Sequence, residues 1–197
     1  MGLSARILAT RKLMVLQNSI DALRQSGVIL FPSDTVLGLG CDATNEEAVN
    51  KIFAVKNRPT HKSLIALVAD QETLTSYVDS IPQTVYKLLK EHHSPTTIVY
   101  PKAKHIAPMA MAEDGSMAFR IPKNGFAHDL VKSFGKPIIA TSANLSGEPI
   151  PENESQVSPR ILEQVDYIVP LKLDKYPITP STIIQLTRDG KTKMIRP

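Results

Sequence analysis

The stretch PIIATSANLSG, Pro137 to Gly147, joins a short apolar run to a polar segment that carries no charge. Ile138 to Ala140 have the composition of a buried strand, and the residues from Thr141 onward supply hydroxyl groups and one amide. Taken alone, the stretch predicts a strand that ends in a polar turn. The same groups could instead hold a ligand, because ligands of open α/β sheets bind in the crevice outside the strand ends. The rest of the chain must distinguish these two interpretations.

Patterns on both sides of this stretch predict strands and helices that alternate along the chain. Short apolar runs predict strands at residues 28–31, 64–69, 96–100, 117–121, 138–141 and 167–169. Helical spacing predicts helices over residues 13–23, 85–89 and 126–134, and a Thr44-x-x-Glu47 capping box opens another helix that ends near Pro59. Asp189-Gly190 predicts a hairpin between residues 182–186 and 193–196. We therefore expect an α/β fold in a single domain over residues 1–197, with a twisted mixed β-sheet flanked by helices and a long surface loop at residues 148–159.

Composition excludes several classes of protein. The chain has 197 residues, of which 42% are hydrophobic and 21% charged, as in ordinary globular proteins. No apolar run is long enough to cross a membrane, no signal peptide is apparent, and Cys41 is the only cysteine, so we expect a cytoplasmic protein without disulfides. The net charge of +4 suits an anionic ligand but does not by itself select one.

Common catalytic motifs are missing from the sequence. Gly190-Lys-Thr192 lacks the first glycine of a phosphate-binding P-loop, because Gln185 stands in its place. Gly38-x-Gly40 lacks the third glycine of a dinucleotide-binding fingerprint. None of the five histidines has zinc-ligand spacing with a second ligand. We therefore expect neither a covalent nucleophile nor a metal site built from protein side chains.

Polar or basic groups occur at the ends of predicted elements in four segments, residues 31–40, 56–62, 116–122 and 141–147. Positive charge suited to phosphate or carboxylate comes from Lys56, Arg58, Lys62 and Arg120, and neutral donors come from Ser142, Asn144 and Ser146. Each segment also has an ordinary interpretation. Lys56 and Arg58 could be solvated cations at a helix C-terminus, and Arg120 could belong to a structural ion pair. Together the four segments favour a shared site for an anion.

Five motifs, in this order, resemble one protein family. They are Pro32-Ser-Asp-Thr35 followed by Gly38 and Gly40, Lys56-x-Arg58-Pro59, Arg120-Ile-Pro122, Ser142-Ala-Asn-Leu-Ser-Gly147 and Pro180-Ser-Thr182. From about Gly27 to the C-terminus the chain closely resembles the TsaC/YrdC family of threonylcarbamoyl-AMP synthases, in their short single-domain form. The resemblance implies a YrdC-like fold with a concave, basic face. It also implies a nucleotidyltransferase that makes threonylcarbamoyl-AMP and pyrophosphate from L-threonine, bicarbonate and ATP.

The resemblance further implies a role for each motif residue. Threonine would contact Thr35, Arg120, Ser142 and Ser181. ATP would contact Arg58, Lys62, Ser116, Asn144 and Arg196, with Lys56 close to the phosphates and with Lys56 and Arg58 as the catalytic, charge-stabilising pair. Mg²⁺ is expected to arrive with ATP, held by phosphates and water. A partner transferase would then move the threonylcarbamoyl group to an adenosine of tRNA.

Two other functions are compatible with the same residues. A basic concave face could bind tRNA or other double-stranded RNA without catalysis, although five Phe, five Tyr and no Trp leave few aromatic rings for stacking on bases. A protein of the same fold could also have a different activity. The intact Ser-Ala-Asn-Leu-Ser-Gly motif argues against that second alternative.

Overall fold

A computed structural model describes residues 3–59, 64–91, 94–170 and 177–197. The strands are β1 (Ile29–Pro32), β2 (Leu37–Asp42), β3 (Ile65–Leu67), β4 (Thr96–Tyr100), β5 (Met117–Arg120), β6 (Ile138–Ser142), β7 (Tyr167–Ile168), β8 (Thr182–Leu186) and β9 (Thr192–Arg196). They form one nine-stranded sheet in the order β7-β1-β2-β6-β3-β5-β4-β8-β9. Its β3–β5 and β4–β8 pairs are parallel, whereas β2–β6 and β8–β9 are antiparallel. The predicted mixed α/β sheet is therefore confirmed.

Six α-helices are present among the described residues. They are α1 (Leu3–Arg24), α2 (Glu46–Lys56), α3 (Gln71–Thr75), α4 (Gln83–Glu91), α5 (Gly125–Phe134) and α6 (Pro159–Leu162). α1 and α5 contact each other and pack on β1, and α2 packs on β2. Helices thus lie on both faces of the sheet, which gives it two hydrophobic layers.

Strand β6, the apolar half of the stretch quoted first, lies in the middle of the sheet between β2 and β3. Side chains alternate between faces along a strand. Ile138 therefore joins the hydrophobic cluster under α1 and α5, and Ile139 joins the cluster under α2. Ala140 and Ser142 continue the face of Ile138 toward the end of the strand.

Helices α1 and α5 cover only part of their face of the sheet. Beneath them lie buried Phe31, Leu67 and Ile138. Farther along the same face, Ala140 and Ser142 instead line a cavity. A mixed sheet with one partly covered face therefore provides a rigid floor for a site.

The sequence patterns predict no strand at β2, because its segment contains no continuous apolar run. Its glycines weaken the strand signal, since glycine contributes no side chain to a pleated surface. The structure shows why they fit. A Cβ atom at Gly40 would lie 2.7 Å from the Phe31 ring and 2.9 Å from the Ile139 carbonyl oxygen. The packing of β1 and β6 against β2 therefore requires glycine there.

Two local predictions need correction. The N-cap of α2 is Asn45, whose side chain accepts a hydrogen bond from the Ala48 amide at 3.0 Å. Thr44 instead donates to the Asp42 carboxylate at 2.7 Å, so the predicted capping box is displaced by one residue. Residues 148–159 also do not form a plain surface loop, because they include a 3₁₀ turn and Val157 is buried in the core.

Candidate active site

A cavity of about 400 Å³ opens on the partly covered face of the sheet. Its floor is made of small and branched apolar side chains from five strands, Ile65, Val99, Ala118, Ala140 and Ile183. Its polar lining includes six residues to which the sequence assigned a role, Thr35, Arg58, Arg120, Ser142, Ser181 and Arg196. These six are distant in sequence, and the fold brings them together. The described lining holds three arginines and no carboxylate, so the cavity is suited to anions.

Thr35 is held by the tight turn that connects β1 to β2. The Ser33 hydroxyl donates to the Val36 carbonyl at 2.6 Å and accepts from the Val36 amide at 3.0 Å. It also lies 3.0 Å from the Thr35 hydroxyl. Short side-chain hydroxyls stabilise turns in this way. The turn therefore fixes Thr35 at the cavity wall, almost fully buried.

Arg120 occupies the end of β5 and is only 5% exposed. Its Nη2 atom donates to the Asp34 Oδ1 atom at 3.0 Å, and its Nε atom is buried without a partner among the described residues. Burial lowers the pKa of Arg120, the Asp34 carboxylate opposes that shift and nearby Arg196 adds to it. Arg120 thus belongs to an ion pair and also lines the cavity, and it retains unused hydrogen-bonding capacity.

Ser181 and Arg196 meet at the opposite wall. The guanidinium group of Arg196 donates twice to the Ser181 carbonyl oxygen, from Nε at 3.1 Å and from Nη2 at 2.8 Å. Ser181 itself precedes β8 and its hydroxyl lies 2.7 Å from the Thr97 hydroxyl. Because β9 pairs with β8 through Ile183 and Arg196, the hairpin predicted around Gly190 carries Arg196 to the cavity.

Arg58 reaches the cavity because α2 ends abruptly. Asn57 adopts a left-handed conformation with φ of 47°, and the Arg58 amide donates to the Phe53 carbonyl at 3.0 Å. Such an end turns the chain away from the helix axis. The side chain of Arg58 then lines the cavity, and partial burial lowers its pKa.

Lys56 lies behind the cavity wall and is 1% exposed. Its ammonium group donates to the backbone carbonyl oxygens of Ser142 and Asn144, the second at 2.7 Å. Burial, and to a smaller extent the charge of Arg58, lowers the pKa of Lys56 to about 7. Lys56 is not among the described residues that line the cavity. Its contacts hold the polar segment after β6 in place.

The side chain of Asn144 is engaged within its own loop. Its amide nitrogen donates to the Glu148 carbonyl at 2.5 Å, and its Oδ1 atom accepts from the Ser142 hydroxyl. Ser116 directly precedes β5 and is buried, two residues before Ala118 on the same side of the strand. Neither Asn144 nor Ser116 is among the described lining residues. Lys62 lies outside the described residues.

Sequence reasoning assigned no role to two residues that support this site. Asp34 appears in the Pro-Ser-Asp-Thr motif, and the structure makes it the ion partner of Arg120. Thr97 reads as an ordinary β-branched strand residue, and the structure makes it the partner of Ser181. The sequence does contain a signal for Asp34, because an arginine in an apolar strand, such as Arg120, needs a counter-ion when it is buried. No local pattern could have distinguished Thr97.

Within the described ranges, no group of three or more His, Cys, Asp or Glu side chains is arranged to hold a metal ion. No helix there is both long and apolar enough to cross a membrane. Cys41 is buried beside Asp42, and burial raises the pKa of its thiol. A thiol in that environment is a poor nucleophile.

Known proteins are similar to this chain in sequence and in fold. The Sua5_yciO_yrdC family model, described as "Telomere recombination", matches residues 21–197. A Photobacterium profundum protein named threonylcarbamoyl-AMP synthase is 34% identical over 157 residues, which are 78% of this chain and 85% of that protein. E. coli YciO is 24% identical, with a TM-score of 0.77 over 94% of this chain and 89% of that one, and shows the shared fold.

A second solved structure contains a ligand. The crystal structure of P. abyssi Sua5 complexed with L-threonine has a TM-score of 0.81 and 30% identity over 92% of this chain. This chain covers 53% of that protein, so it spans about half the length of P. abyssi Sua5. The family model and the curated relatives agree with the motifs in the sequence. The chain belongs to the Sua5/YciO/YrdC family.

Proposed function

We propose that this protein is an L-threonylcarbamoyladenylate synthase, which joins L-threonine, bicarbonate and ATP into threonylcarbamoyl-AMP and releases pyrophosphate. The observation that carries the proposal is the cavity itself. It collects three arginines and five hydroxyl side chains from distant parts of the sequence, and its described lining contains no carboxylate. Its volume lies within the usual range for small-molecule sites. The names of the curated relatives support the same reaction.

The wall that contains Thr35, Arg120, Ser142 and Ser181 is the proposed threonine site. Arg120 suits the carboxylate of an amino acid, because a guanidinium group can bind both carboxylate oxygens. Asp34 holds the group through Nη2, and Nε has no partner among the described residues. The three hydroxyls can serve as donors or acceptors for the amine and the side chain of threonine. The complex of P. abyssi Sua5 with L-threonine supports threonine as the ligand.

Arg58 and Arg196 line the same cavity and form the proposed phosphate site together with Ser116, Asn144 and Lys62. The Asn144 amide nitrogen carries two N–H groups, and the one that is not bonded to the Glu148 carbonyl is the donor proposed to contact ATP. Lys56 then contributes indirectly, since its ammonium group fixes the backbone from which Ser142 and Asn144 project. Mg²⁺ bound to ATP neutralises part of the phosphate charge.

The proposed mechanism needs positioning and charge stabilisation rather than a covalent nucleophile. The threonine amine attacks carbon dioxide and loses a proton, or attacks bicarbonate with loss of water. An oxygen of the resulting carbamate then attacks the α-phosphorus of ATP. Pyrophosphate leaves in line with that attack. Arg58 stabilises the negative charge that develops on the phosphates, in a partly buried position where such a contact is stronger than in water. The product then serves a partner transferase that modifies an adenosine of tRNA.

The test is pyrophosphate release by the purified protein in the presence of ATP, Mg²⁺ and bicarbonate. We expect release that depends on L-threonine. A rate equal to that of a threonine-free control would overturn the proposal. Retention of tRNA with a steep salt dependence, without threonine-dependent turnover, would favour the RNA-binding alternative instead.

A further inference from the structure

Thr97 lies in a row of paired residues that crosses the sheet beneath the cavity. Arg120 in β5 is paired with Thr97 in β4, and Thr97 is paired with Ile183 in β8. Side chains of directly paired residues on neighbouring strands project from the same face. Arg120 and Ile183 both line the cavity, and Thr97 between them is completely buried. A hydroxyl group therefore lies beneath the floor of the cavity.

This hydroxyl has one described partner, the hydroxyl of Ser181 at 2.7 Å. Ser181 lines the cavity and is 2% exposed. Its carbonyl oxygen accepts hydrogen bonds from the Nε and Nη2 atoms of Arg196. Ser181 is thus fixed through its backbone and through its side chain, and among the described residues Thr97 is the one that fixes the orientation of its hydroxyl.

We propose that Thr97 is a positioning residue for the amino-acid substrate and acts through Ser181. Two hydroxyl groups in contact can share their protons in either direction. When Thr97 donates, the proton of Ser181 is free to point into the cavity, and when Ser181 donates, its remaining lone pair accepts from the cavity. The Ser181 hydroxyl can therefore accept a hydrogen bond from a protonated amino group and donate one to a neutral amino group. The inference rests on the proposed function.

The variant Thr97→Val tests the proposal because valine keeps the branched shape and removes the hydroxyl. We expect the KM for threonine to rise roughly five- to tenfold, the effect of one lost hydrogen bond, with kcat and the KM for ATP within about twofold. Thr97→Ser restores the hydroxyl and should return the KM for threonine toward its original value. Thr96→Val is the matched control. Thr96 is also buried, but its side chain lies on the other face of the strand and its hydroxyl donates to the Ser94 carbonyl. The KM of the Thr96→Val variant for threonine should therefore not change.

A double-mutant cycle separates this role from a general effect on folding. In a Ser181→Ala background, Thr97→Val should cause no further rise in the KM for threonine, because the residue through which it acts is gone. Melting temperatures of all variants report the structural contribution independently. Equal rises in both backgrounds, or equal rises in the KM for threonine and for ATP, would overturn the proposal.

Calorimetric binding of L-threonine to the same variants keeps this inference distinct from the proposed function. If the protein binds threonine but shows no turnover, the synthase assignment fails, and a five- to tenfold weaker binding by Thr97→Val still supports the role of Thr97. Unchanged binding by Thr97→Val would refute that role even in an active enzyme. Absence of any threonine binding would overturn both.

Discussion

Lys56 shows how far the environment of one residue can differ from what its neighbours in sequence suggest. A lysine at the end of a helix, beside Arg58, is typical of a solvated cation or of a phosphate contact. The fold instead buries its ammonium group against the carbonyl oxygens of Ser142 and Asn144. These partners are 86 and 88 residues away in sequence, so no local pattern could predict the contact.

Burial of Lys56 predicts a specific pH dependence of stability. Its pKa is about 7 in the folded protein and near 10.4 in an unfolded chain. Between these values the unfolded state binds the proton and the folded state does not, so the free energy of unfolding rises with pH. Each unit of difference between the two pKa values contributes about 1.4 kcal/mol to this change in the free energy of unfolding. The stability of the native protein relative to Lys56→Met should therefore increase between pH 7 and pH 10.

Denaturant unfolding of both proteins across this range checks the prediction. Lys51→Met is the matched control, since Lys51 lies on the same helix with its side chain 40% exposed. The difference in the free energy of unfolding between the native protein and Lys51→Met should stay nearly constant with pH. A constant difference for Lys56→Met as well would show that Lys56 is not buried with a lowered pKa.

Arg58 and Asn144 carry the proposed phosphate contacts. Replacing either by alanine should lower threonine-dependent pyrophosphate release by about 10²–10³, as removal of one donor to a developing anion does in other enzymes. Arg160→Ala on the exposed surface of α6 is the control and should keep normal turnover. Circular dichroism checks that each variant is folded. Normal turnover by folded Arg58→Ala would exclude its role in charge stabilisation.

At the scale of elements, β2 shows what sequence patterns detect and what they miss. Apolar runs predicted the strands β1 and β3 to β7 within a few residues, because a buried strand needs apolar side chains on both faces. The Asp189-Gly190 turn predicted the hairpin of β8 and β9. In β2 the close approach of β6 and of the Phe31 ring requires glycine, and that requirement weakens the very pattern by which strands are recognised. The cap of α2 was displaced for a similar reason, since Thr44 and Asn45 are both good caps and only the path of the chain selects Asn45.

The glycines of β2 predict two different kinds of defect. Gly40→Ala should lower the free energy of unfolding by about 1–3 kcal/mol, because its methyl group meets the Phe31 ring and a backbone oxygen. Gly38→Ala should destabilise less, since its closest contact is 3.1 Å, but its methyl group would enter the floor of the cavity and weaken substrate binding. Urea unfolding and KM values separate the two effects. Equal stabilities of the two variants would contradict the packing described for β2.

At the scale of the whole molecule, the candidate site depends on the order of strands in the sheet. The sequence motifs identified Thr35, Arg58, Arg120, Ser142, Ser181 and Arg196, and the fold gathers all six around one cavity. Of the partners that orient them, Asp34 belongs to a motif, whereas the contact of Thr97 with Ser181 depends on the pairing of β4 with β8 and could not be predicted from the motifs. The arginines give this cavity its positive charge, whereas the net charge of the chain is only +4.

The most direct test of the synthase assignment is to identify the product by mass spectrometry after incubation with ATP, Mg²⁺, L-threonine and carbon-13 bicarbonate. The mechanism predicts an adenylate that contains threonine and one labelled carbon, in the carbamoyl group, and that does not form when threonine is left out. An adenylate without the labelled carbon, or the absence of any threonine-containing adenylate, would contradict the account.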